Sequence, residues 1–105
     1  MNMLNSIILE GDVCRVDELN PADKSLEFTI QVAREFKDEA GNCITEAPAF
    51  TIKASGTLAE YASDKLGIGR GIRVVGRLIN DNGNVKVFAE HIEYKPEKKK
   101  GKKEA

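Results

Sequence analysis

Six of the basic side chains have the chemistry needed to bind a polymer of phosphates, because such binding depends on several cations along one path. Lys53 has the parity of Thr51 and Ser55, opposite the apolar residues of its segment, so it is predicted to face outward. Arg73 and Arg77 share a face with apolar residues, so that face is predicted to meet either solvent or another subunit. An ordinary solvated charge is the alternative for each residue taken alone. The candidates are Arg15, Arg34, Lys53, Arg73, Arg77 and Lys86.

Aromatic side chains supply the second half of this chemistry, because a nucleobase that stacks on a ring contributes about 1–3 kcal/mol. Phe36 stands in a polar stretch beside Lys37, so we interpret it as a stacking platform, with a loop phenylalanine folded onto the domain as the alternative. Phe88 flanks Lys86 on the face opposite Val87, which suits either stacking or burial under a partner subunit. Three other rings are predicted to be buried: Phe28 and Phe50 share parity with core residues, and Tyr61 lies on the apolar stripe of the predicted helix.

The chain shows no catalytic constellation. Cys14 and Cys43 have no metal-ligand spacing, and His91 is the single histidine. The glycine-rich stretch 67–71 follows a predicted helix and precedes a predicted strand, whereas a phosphate-binding loop needs the reverse order. We therefore expect a protein that is not an enzyme, holds no cofactor or metal, and carries two reduced thiols inside the cell.

The net charge of −1 conceals an asymmetry. Residues 95–105 hold six lysines and two glutamates, a charge of +4, so residues 1–94 carry −5. This composition predicts a folded domain over 1–94 and a disordered lysine-rich tail over 95–105. The tail is interpreted either as a nucleic-acid contact or as a solubilising segment. No apolar run is long enough for a membrane span and no signal peptide is evident, so a cytoplasmic location is expected.

Apolar alternation predicts the strands that position these side chains. Leu26, Phe28, Ile30 and Val32 alternate with polar residues, which is typical of a half-buried strand. Glycines at positions 11 and 76 are predicted to mark bulges or bends within strands. The five predicted strands span residues 4–16, 26–32, 49–55, 69–79 and 85–94.

One helix is predicted over residues 57–66, where apolar residues recur at helical spacing. Thr57 is predicted to cap it together with Glu60 in a capping box, and Gly67 to end it. A strand, strand, strand, helix, strand, strand order favours an all-β fold, namely a five-stranded OB-fold barrel with one helix between strands three and four.

The remaining connections are polar. Residues 35–48 form a long excursion with a predicted turn around Gly41. Residues 80–84 are predicted to form a hairpin turn centred on Asn82 and Gly83, a pair that favours positive backbone φ angles.

The chain resembles the bacterial single-stranded DNA-binding proteins along residues 1–94. The resemblance implies an OB fold, non-catalytic binding of single-stranded DNA in replication, recombination or repair, and assembly as a homotetramer or dimer. It implies a nucleoid-associated protein that also meets replication or repair proteins. Four stretches carry it in order: MLNSIILEGDVCRVDEL, LEFTIQVAREFKD, SGTLAEYASDKLGIGRGIRVVGRL and VFAEHIEY.

Several positions depart from that family's pattern. Phe36 stands where the family usually has an aromatic residue, but Ala49 and Ser55 occupy two other positions that are often aromatic, and the chain has no tryptophan. The hairpin at 80–84 is short, and the lysine-rich end replaces the family's linker and acidic tip. We therefore expect weaker binding or a shorter occluded site than is usual for the family.

Two alternatives stay open. One is an accessory factor similar to primosomal replication protein N, a short OB protein that is usually dimeric. The other is an OB scaffold for protein–protein contacts with weak or no DNA binding, which the charge of −5 over residues 1–94 favours.

Overall fold

The computed structural model describes residues 2–96, which contain seven strands and one helix. In chain order the elements are β1 (Ile7–Val16), β2 (Ser25–Gln31), β3 (Arg34–Lys37), β4 (Cys43–Glu46), β5 (Ala49–Ser55), α1 (Gly56–Lys65), β6 (Gly71–Asp81) and β7 (Asn84–Tyr94). Five strands close into a barrel in the order β1–β2–β5–β7–β6, with the β5–β7 pair parallel and the others antiparallel. The predicted OB-fold barrel, with a helix between its third and fourth strands, is confirmed.

The predicted tail over 95–105 lies outside the described residues, except for Lys95 and Pro96. Lys95 still extends the pairing of β7 with β6, because its backbone N–H donates a hydrogen bond to the Gly71 carbonyl at 3.0 Å. The Lys95 ammonium also forms an ion pair with Glu10. The boundary at residue 94 and the disorder of the tail stay predictions.

The inward-facing side chains of the barrel strands form one apolar core. Leu26, Phe28 and Ile30 of β2 are buried, as their alternation predicts. Ile52 and Ala54 of β5 face them across the β2–β5 register and are also buried. Burial of a side chain as large as Leu or Phe contributes about 1.5–3 kcal/mol, so the core fixes which face of each strand points inward. The residues between them must therefore face outward.

The two strand glycines lie where neighbouring backbones approach closely. A Cβ on Gly11 would lie 2.4 Å from the Gln31 carbonyl oxygen, and a Cβ on Gly76 would lie 2.0 Å from that of Phe88. The β6–β7 register also shifts between Val75 and Gly76, which marks a bulge. The predicted bend at Gly76 is therefore confirmed, and both positions exclude any residue with a side chain unless the backbone moves.

Helix α1 lies one residue earlier than predicted and is capped differently. Ser55 is the N-cap residue, with extended backbone angles and no capping hydrogen bond from its side chain. The predicted capping box of Thr57 and Glu60 is wrong, because Thr57 lies inside the first turn. The helix ends at Lys65, two residues before the predicted stop at Gly67. Within residues 2–96, no helix has the length and hydropathy that crossing a membrane requires.

The polar excursion over residues 35–48 contains a second, two-stranded sheet that the sequence analysis did not predict. β3 and β4 pair antiparallel, with Phe36 opposite Ile44. Asp38 accepts a hydrogen bond from the backbone N–H of Asn42 at 2.8 Å, which closes the predicted turn. Every residue of β3 is exposed, so this strand lacks the apolar alternation by which strands are recognised.

The barrel strands otherwise keep close to their predicted bounds. β5 has the predicted bounds, whereas the first strand begins at Ile7 instead of residue 4. Asn82 and Gly83 have φ angles of 54° and 87° and join β6 to β7, which confirms the predicted hairpin turn. The Asn82 conformation is one that asparagine tolerates better than most residues.

Two aromatic residues predicted to lie in the core are exposed. Phe50, the second residue of β5, is 36% exposed because it lies at the open end of the barrel. Tyr61 is 55% exposed because α1 turns Ala59 and Ala62 toward the barrel instead. The Tyr61 ring packs edge-on against that of Tyr94, with 5.6 Å between the ring centroids. For Phe50, parity gave the direction of the ring but not the extent of the cover above it; for Tyr61, the predicted direction itself was wrong.

Candidate nucleic-acid interface

A cluster of two lysines and two carboxylates lies on the outer face of four barrel strands. We call it the lysine face, and it consists of Glu27, Lys53, Asp81 and Lys86. Glu27 pairs with Lys53 across β2 and β5, and Lys53 is in register with Phe88 on β7. The residues on both sides of Lys53 and of Glu27 are buried in the core, as is the residue after Lys86, so these three side chains must point outward.

Carboxylates already bind both lysines of this face. The Lys86 ammonium lies 2.7 Å from Glu27 Oε2 and 3.0 Å from Asp81 Oδ2. The Lys53 ammonium lies 3.7 Å from the same Asp81 oxygen. The side chain of Lys86 is only 18% exposed, so it lies along the sheet instead of extending into solvent. With two positive and two negative groups, the lysine face is formally neutral.

The pairing shifts the pKa values of two members of the cluster. The hydrogen bond from Lys86, followed by the charge of Lys53, holds the pKa of Asp81 below its ordinary value. Hydrogen bonds to Glu27 and then to Asp81 raise the pKa of Lys86. Both shifts favour the charged forms, so the ion pairs persist throughout the neutral pH range.

Phe88 borders the lysine face and is covered by an arginine. The Arg77 guanidinium lies 4.8 Å from the centroid of the Phe88 ring, a cation–π distance. The same guanidinium donates a hydrogen bond to Glu90 at 2.8 Å. Phe88 is half-buried, and Arg77 occupies one face of its ring. The structure therefore brings these two predicted site residues together, but as partners of each other.

The hairpin of β3 and β4 carries a second group of predicted site residues, which we call the hairpin patch: Arg34, Phe36 and Lys37. Phe36 is 37% exposed, and the Arg34 guanidinium carbon lies 5.8 Å from its ring centroid. Glu46 lies opposite Arg34 in the register, yet within residues 2–96 no carboxylate comes within ion-pair distance of Arg34 or Lys37. The patch therefore presents a ring beside Arg34 on one face of β3, with Lys37 on the other face, and no carboxylate in the described part of the chain pairs with either cation.

The remaining two predicted site residues lie apart from both groups. Arg15 is on β1, is mostly exposed, and pairs with Asp17 at 3.2 Å. Arg73 on β6 lies between Glu93 at 3.4 Å and Glu10 at 3.9 Å. The nine residues singled out from the sequence therefore form separate clusters and not one continuous path.

The end of the barrel beside α1 also collects cations. A cavity of about 670 Å³ there is lined in part by Lys65, Arg70 and Lys95. The Arg70 guanidinium stacks 5.6 Å from the centroid of Tyr94. Burial raises the pKa of the Tyr94 phenol. The lysine-rich end of the sequence follows directly from this basic cleft.

The sequence analysis missed the carboxylates that neutralise the barrel's cations. Glu27 is one of the polar residues that alternate with the buried side chains of β2, but its contact with Lys86 crosses β5 and depends on the order of strands in the barrel. Asp81 was assigned to a turn, and it lies at the end of β6. A negative charge of −5 on the domain was the one available signal that its cations would have partners.

Several solved structures share this barrel. The chain is similar to a small single-stranded DNA-binding protein from Streptomyces coelicolor, with 22% identity, a TM-score of 0.68, and coverage of 90% of this chain and 96% of the other. It is also similar to the Plasmodium falciparum SSB in its complex with ssDNA, with 17% identity, a TM-score of 0.77, and coverage of 91% and 98%. At these identities the likeness establishes the fold alone.

A third structure is nearer in sequence. It is a deletion mutant of the single-stranded DNA-binding protein from Thermus aquaticus, with 28% identity and a TM-score of 0.74. The match covers 93% of this chain and 52% of that one. A search of curated protein sequences gives no significant match. The model of the single-strand binding protein family matches residues 4–100, nearly the whole length, and the chain therefore belongs to the single-strand binding protein family.

Proposed function

We propose that this protein binds and protects single-stranded DNA without catalysing a reaction. The observation that carries the proposal is the family match over residues 4–100 on a closed OB barrel. A structural neighbour with a TM-score of 0.77 is described as a complex with ssDNA, which supports the same ligand here. Binding by stacking and charge, without base-specific contacts, suits a protein that covers any sequence.

The DNA path begins at the hairpin patch in this proposal. Phe36 offers a ring for one base, and Arg34 and Lys37 offer cations for the adjoining phosphates. The hairpin is anchored to the barrel where the Val32 N–H donates to the Pro48 carbonyl at 2.9 Å. From that anchor the strand pair β2–β5 leads to the lysine face.

The two groups are near enough for one strand to reach both. The Gln31–Ala49 pair at the base of the hairpin lies four residues from the Glu27–Lys53 pair, which is roughly 13 Å along the sheet. A strand that crosses this distance passes over the outer side chains of the intervening Thr29–Thr51 pair. Arg77 and Phe88 border the far side of this path.

The protein acts in this proposal in the cytoplasm, close to the nucleoid, in replication, recombination or repair. A homotetramer or dimer is the proposed assembly. Exposed apolar residues at the open barrel end, Phe50, Leu78 and Val85, support self-association because such a surface gains from burial. Contacts with replication or repair proteins belong to the same proposal. The lysine tail over 95–105 is proposed as an additional, sequence-independent contact beside the basic cleft.

A titration of labelled oligo-dT by fluorescence anisotropy at two salt concentrations tests the proposal. Full-length protein is compared with a version ending at Pro96, which keeps the Lys95 contacts with Gly71 and Glu10. We expect both forms to bind, more weakly at high salt, and to prefer the single strand to a duplex of equal length. Binding by the full chain alone would assign the activity to the tail and overturn the barrel path.

The scaffold alternative is supported by the neutral lysine face and by the apolar open end of the barrel. If neither form binds oligo-dT at low salt, the DNA-binding proposal is wrong and the scaffold takes its place. The mass of the assembly distinguishes an accessory factor similar to primosomal replication protein N from the main single-strand binding protein of the cell. A DNA-binding dimer favours the accessory factor, and a tetramer favours the main binding protein. Sedimentation equilibrium of the full chain gives this mass.

A further inference from the structure

We propose that Glu27 and Asp81 limit DNA binding by the lysine face, because their carboxylates hold Lys86 and Lys53 in the way that backbone phosphates would. The inference rests on the proposed function and adds an intramolecular competitor to its binding site. In this arrangement the barrel carries the cations needed for a phosphate path but releases them only when an incoming phosphate displaces a carboxylate.

The geometry of Lys86 is the strongest support for the inference. Its ammonium lies between carboxylates from two different strands, with Glu27 of β2 at 2.7 Å and Asp81 of β6 at 3.0 Å. To reach Glu27, the side chain crosses over β5, which separates β2 from β7 in the barrel. Two of the three ammonium protons are thereby engaged, and the group lies flat against the sheet. A phosphate above the face meets an ammonium whose hydrogen bonds are already largely satisfied.

Lys53 is held less tightly and by one of the same partners. Its ammonium lies 3.7 Å from Asp81, which is ion-pair distance but too long for a hydrogen bond. Asp81 therefore serves both lysines: removing its charge leaves Lys53 without a carboxylate partner among residues 2–96 and leaves Lys86 with Glu27 alone. Glu27 serves Lys86 at hydrogen-bond distance, so the two carboxylates are expected to differ in the size of their effect.

The net charge of the lysine face predicts how the salt dependence of DNA affinity should change when a carboxylate is removed. Two lysines and two carboxylates sum to zero, so the face as built adds little long-range attraction for a polyanion. Each carboxylate replaced by its amide leaves one net positive charge at the site. When a released lysine binds a phosphate, counterion release increases, and the logarithm of affinity depends more steeply on the logarithm of salt concentration by about 0.7 for single strands.

The test uses the full chain with four changes: Glu27→Gln, Asp81→Asn, the double variant, and Asp64→Asn as the matched control. Asp64 is an exposed helix residue on α1, and within residues 2–96 it forms no ion pair. The Asp64→Asn change removes the same unit of negative charge without releasing a lysine. The probe is labelled oligo-dT, with affinity measured over a series of salt concentrations. Thermal unfolding of each variant verifies that it remains folded.

We expect Glu27→Gln and Asp81→Asn to bind roughly three- to tenfold more tightly at low salt, with the steeper salt dependence that an additional bound phosphate brings. The double variant is expected to bind most tightly of all, and Asp64→Asn to bind like the unchanged protein. Equal or weaker binding by the folded Glu27→Gln and Asp81→Asn variants, while the unchanged protein binds, would overturn the inference and leave the proposed function intact.

A second comparison shows whether the effect passes through Lys86. Glu27→Gln is combined with Lys86→Gln, and the increase in affinity is measured again. We expect the increase to disappear in this background, because the carboxylate then has no ammonium to release. An increase that persists would mean that removing negative charge acts at long range, which would overturn the inference. If the unchanged protein fails to bind but the double carboxylate variant binds, the competitor is supported while the proposed function of the unchanged protein is overturned. If neither the unchanged protein nor any variant binds oligo-dT, the proposed function and the inference are overturned together.

Discussion

The hairpin patch and the lysine face both place cations beside a phenylalanine, yet they differ in what is available to a ligand. On the barrel, Lys86 lies within 3.0 Å of two carboxylates, whereas the described residues offer Arg34 and Lys37 no carboxylate at ion-pair distance. The number of basic residues is therefore a poor measure of a binding surface, because the partners across the neighbouring strands decide how much charge remains for a ligand.

The phenylalanine rings of the two regions also differ in how accessible they are to a ligand. Phe36 is exposed on a strand whose every residue faces solvent, and its arginine lies 5.8 Å from the ring centroid. Phe88 is half-buried, and Arg77 approaches its ring to 4.8 Å. We therefore expect the hairpin patch to make the first contact with DNA and the barrel to contribute afterwards.

Glycine substitutions give the largest expected difference between the two regions. Gly76→Ala places a Cβ 2.0 Å from a backbone oxygen in the barrel, so we expect a loss of 3 kcal/mol or more in unfolding free energy, at or above the upper end of about 1–3 kcal/mol for overpacking. Gly41→Ala in the hairpin turn meets no atom within 4 Å but has a φ of +87°, and strain of this kind amounts to about 1–2 kcal/mol. Urea unfolding measures both. Equal losses would contradict the close packing of the barrel bulge.

Removal of each phenylalanine ring gives the next largest effect. Phe36→Ala removes an exposed ring, so we expect oligo-dT affinity to fall by about 1–3 kcal/mol, roughly 5- to 150-fold. Phe88→Ala is the matched variant, and we expect a change of less than about threefold because Arg77 already covers that ring. Anisotropy titration measures both. A larger loss of affinity for Phe88→Ala would mean that DNA meets the barrel before the hairpin patch.

Charge removal sharpens the comparison through salt dependence. We expect the double change Arg34→Gln and Lys37→Gln to reduce the salt slope of oligo-dT binding by about 1.4, or 0.7 for each phosphate that these side chains no longer bind. Lys86→Gln is expected to change the slope less, because its charge is already neutralised by Glu27 and Asp81. If the slope falls more for Lys86→Gln than for the double change, the lysine face binds DNA more directly than its ion pairs indicate.

The smallest expected effect concerns stability in acid. Because Lys86 and then Lys53 lower the pKa of folded Asp81, this carboxylate stabilises the fold fully above the pKa of an unfolded aspartate, about 3.9. The stabilisation is lost as the pH falls further, through the lower pKa of the folded state. Asp81→Asn should therefore lose less stability than the unchanged protein between about pH 5 and pH 2. Urea unfolding midpoints over this pH range measure the difference. If the midpoint falls with pH equally in both proteins, the ion pairs of Asp81 contribute nothing to stability.

Much of the barrel is predictable from the sequence because its signals are local. The alternation of Leu26, Phe28 and Ile30 fixes β2, and the Asn82–Gly83 pair fixes the turn between the last two strands. The short strands of the hairpin escape prediction because every residue of β3 is exposed. A pattern of burial can reveal only those strands that bury one face.

The candidate site is less predictable because its interactions join distant residues. Lys86 and Glu27 are 59 positions apart, and their contact depends on how the barrel closes. Phe50 was predicted to be buried from its parity, which gives the direction of a side chain but not the depth of the layer above it. Tyr61 was predicted to be buried from the apolar stripe of the helix, but the helix turns its alanines toward the barrel instead. The sequence therefore identifies the chemical groups of the site, while the strand order determines which of them meet.

The parallel contact between β5 and β7 closes the barrel through only two registered pairs, Ile52 with Val87 and Lys53 with Phe88. These pairs join positions 35 residues apart, so the seam carries a larger loop-closure entropy than the β6–β7 hairpin beside it. The lysine face spans the same seam. A strand of DNA bound to Lys53 and Lys86 would therefore bridge the barrel pairing that has the fewest registered residues. We expect the amide hydrogens of β5 and β7 to exchange more slowly when DNA is present.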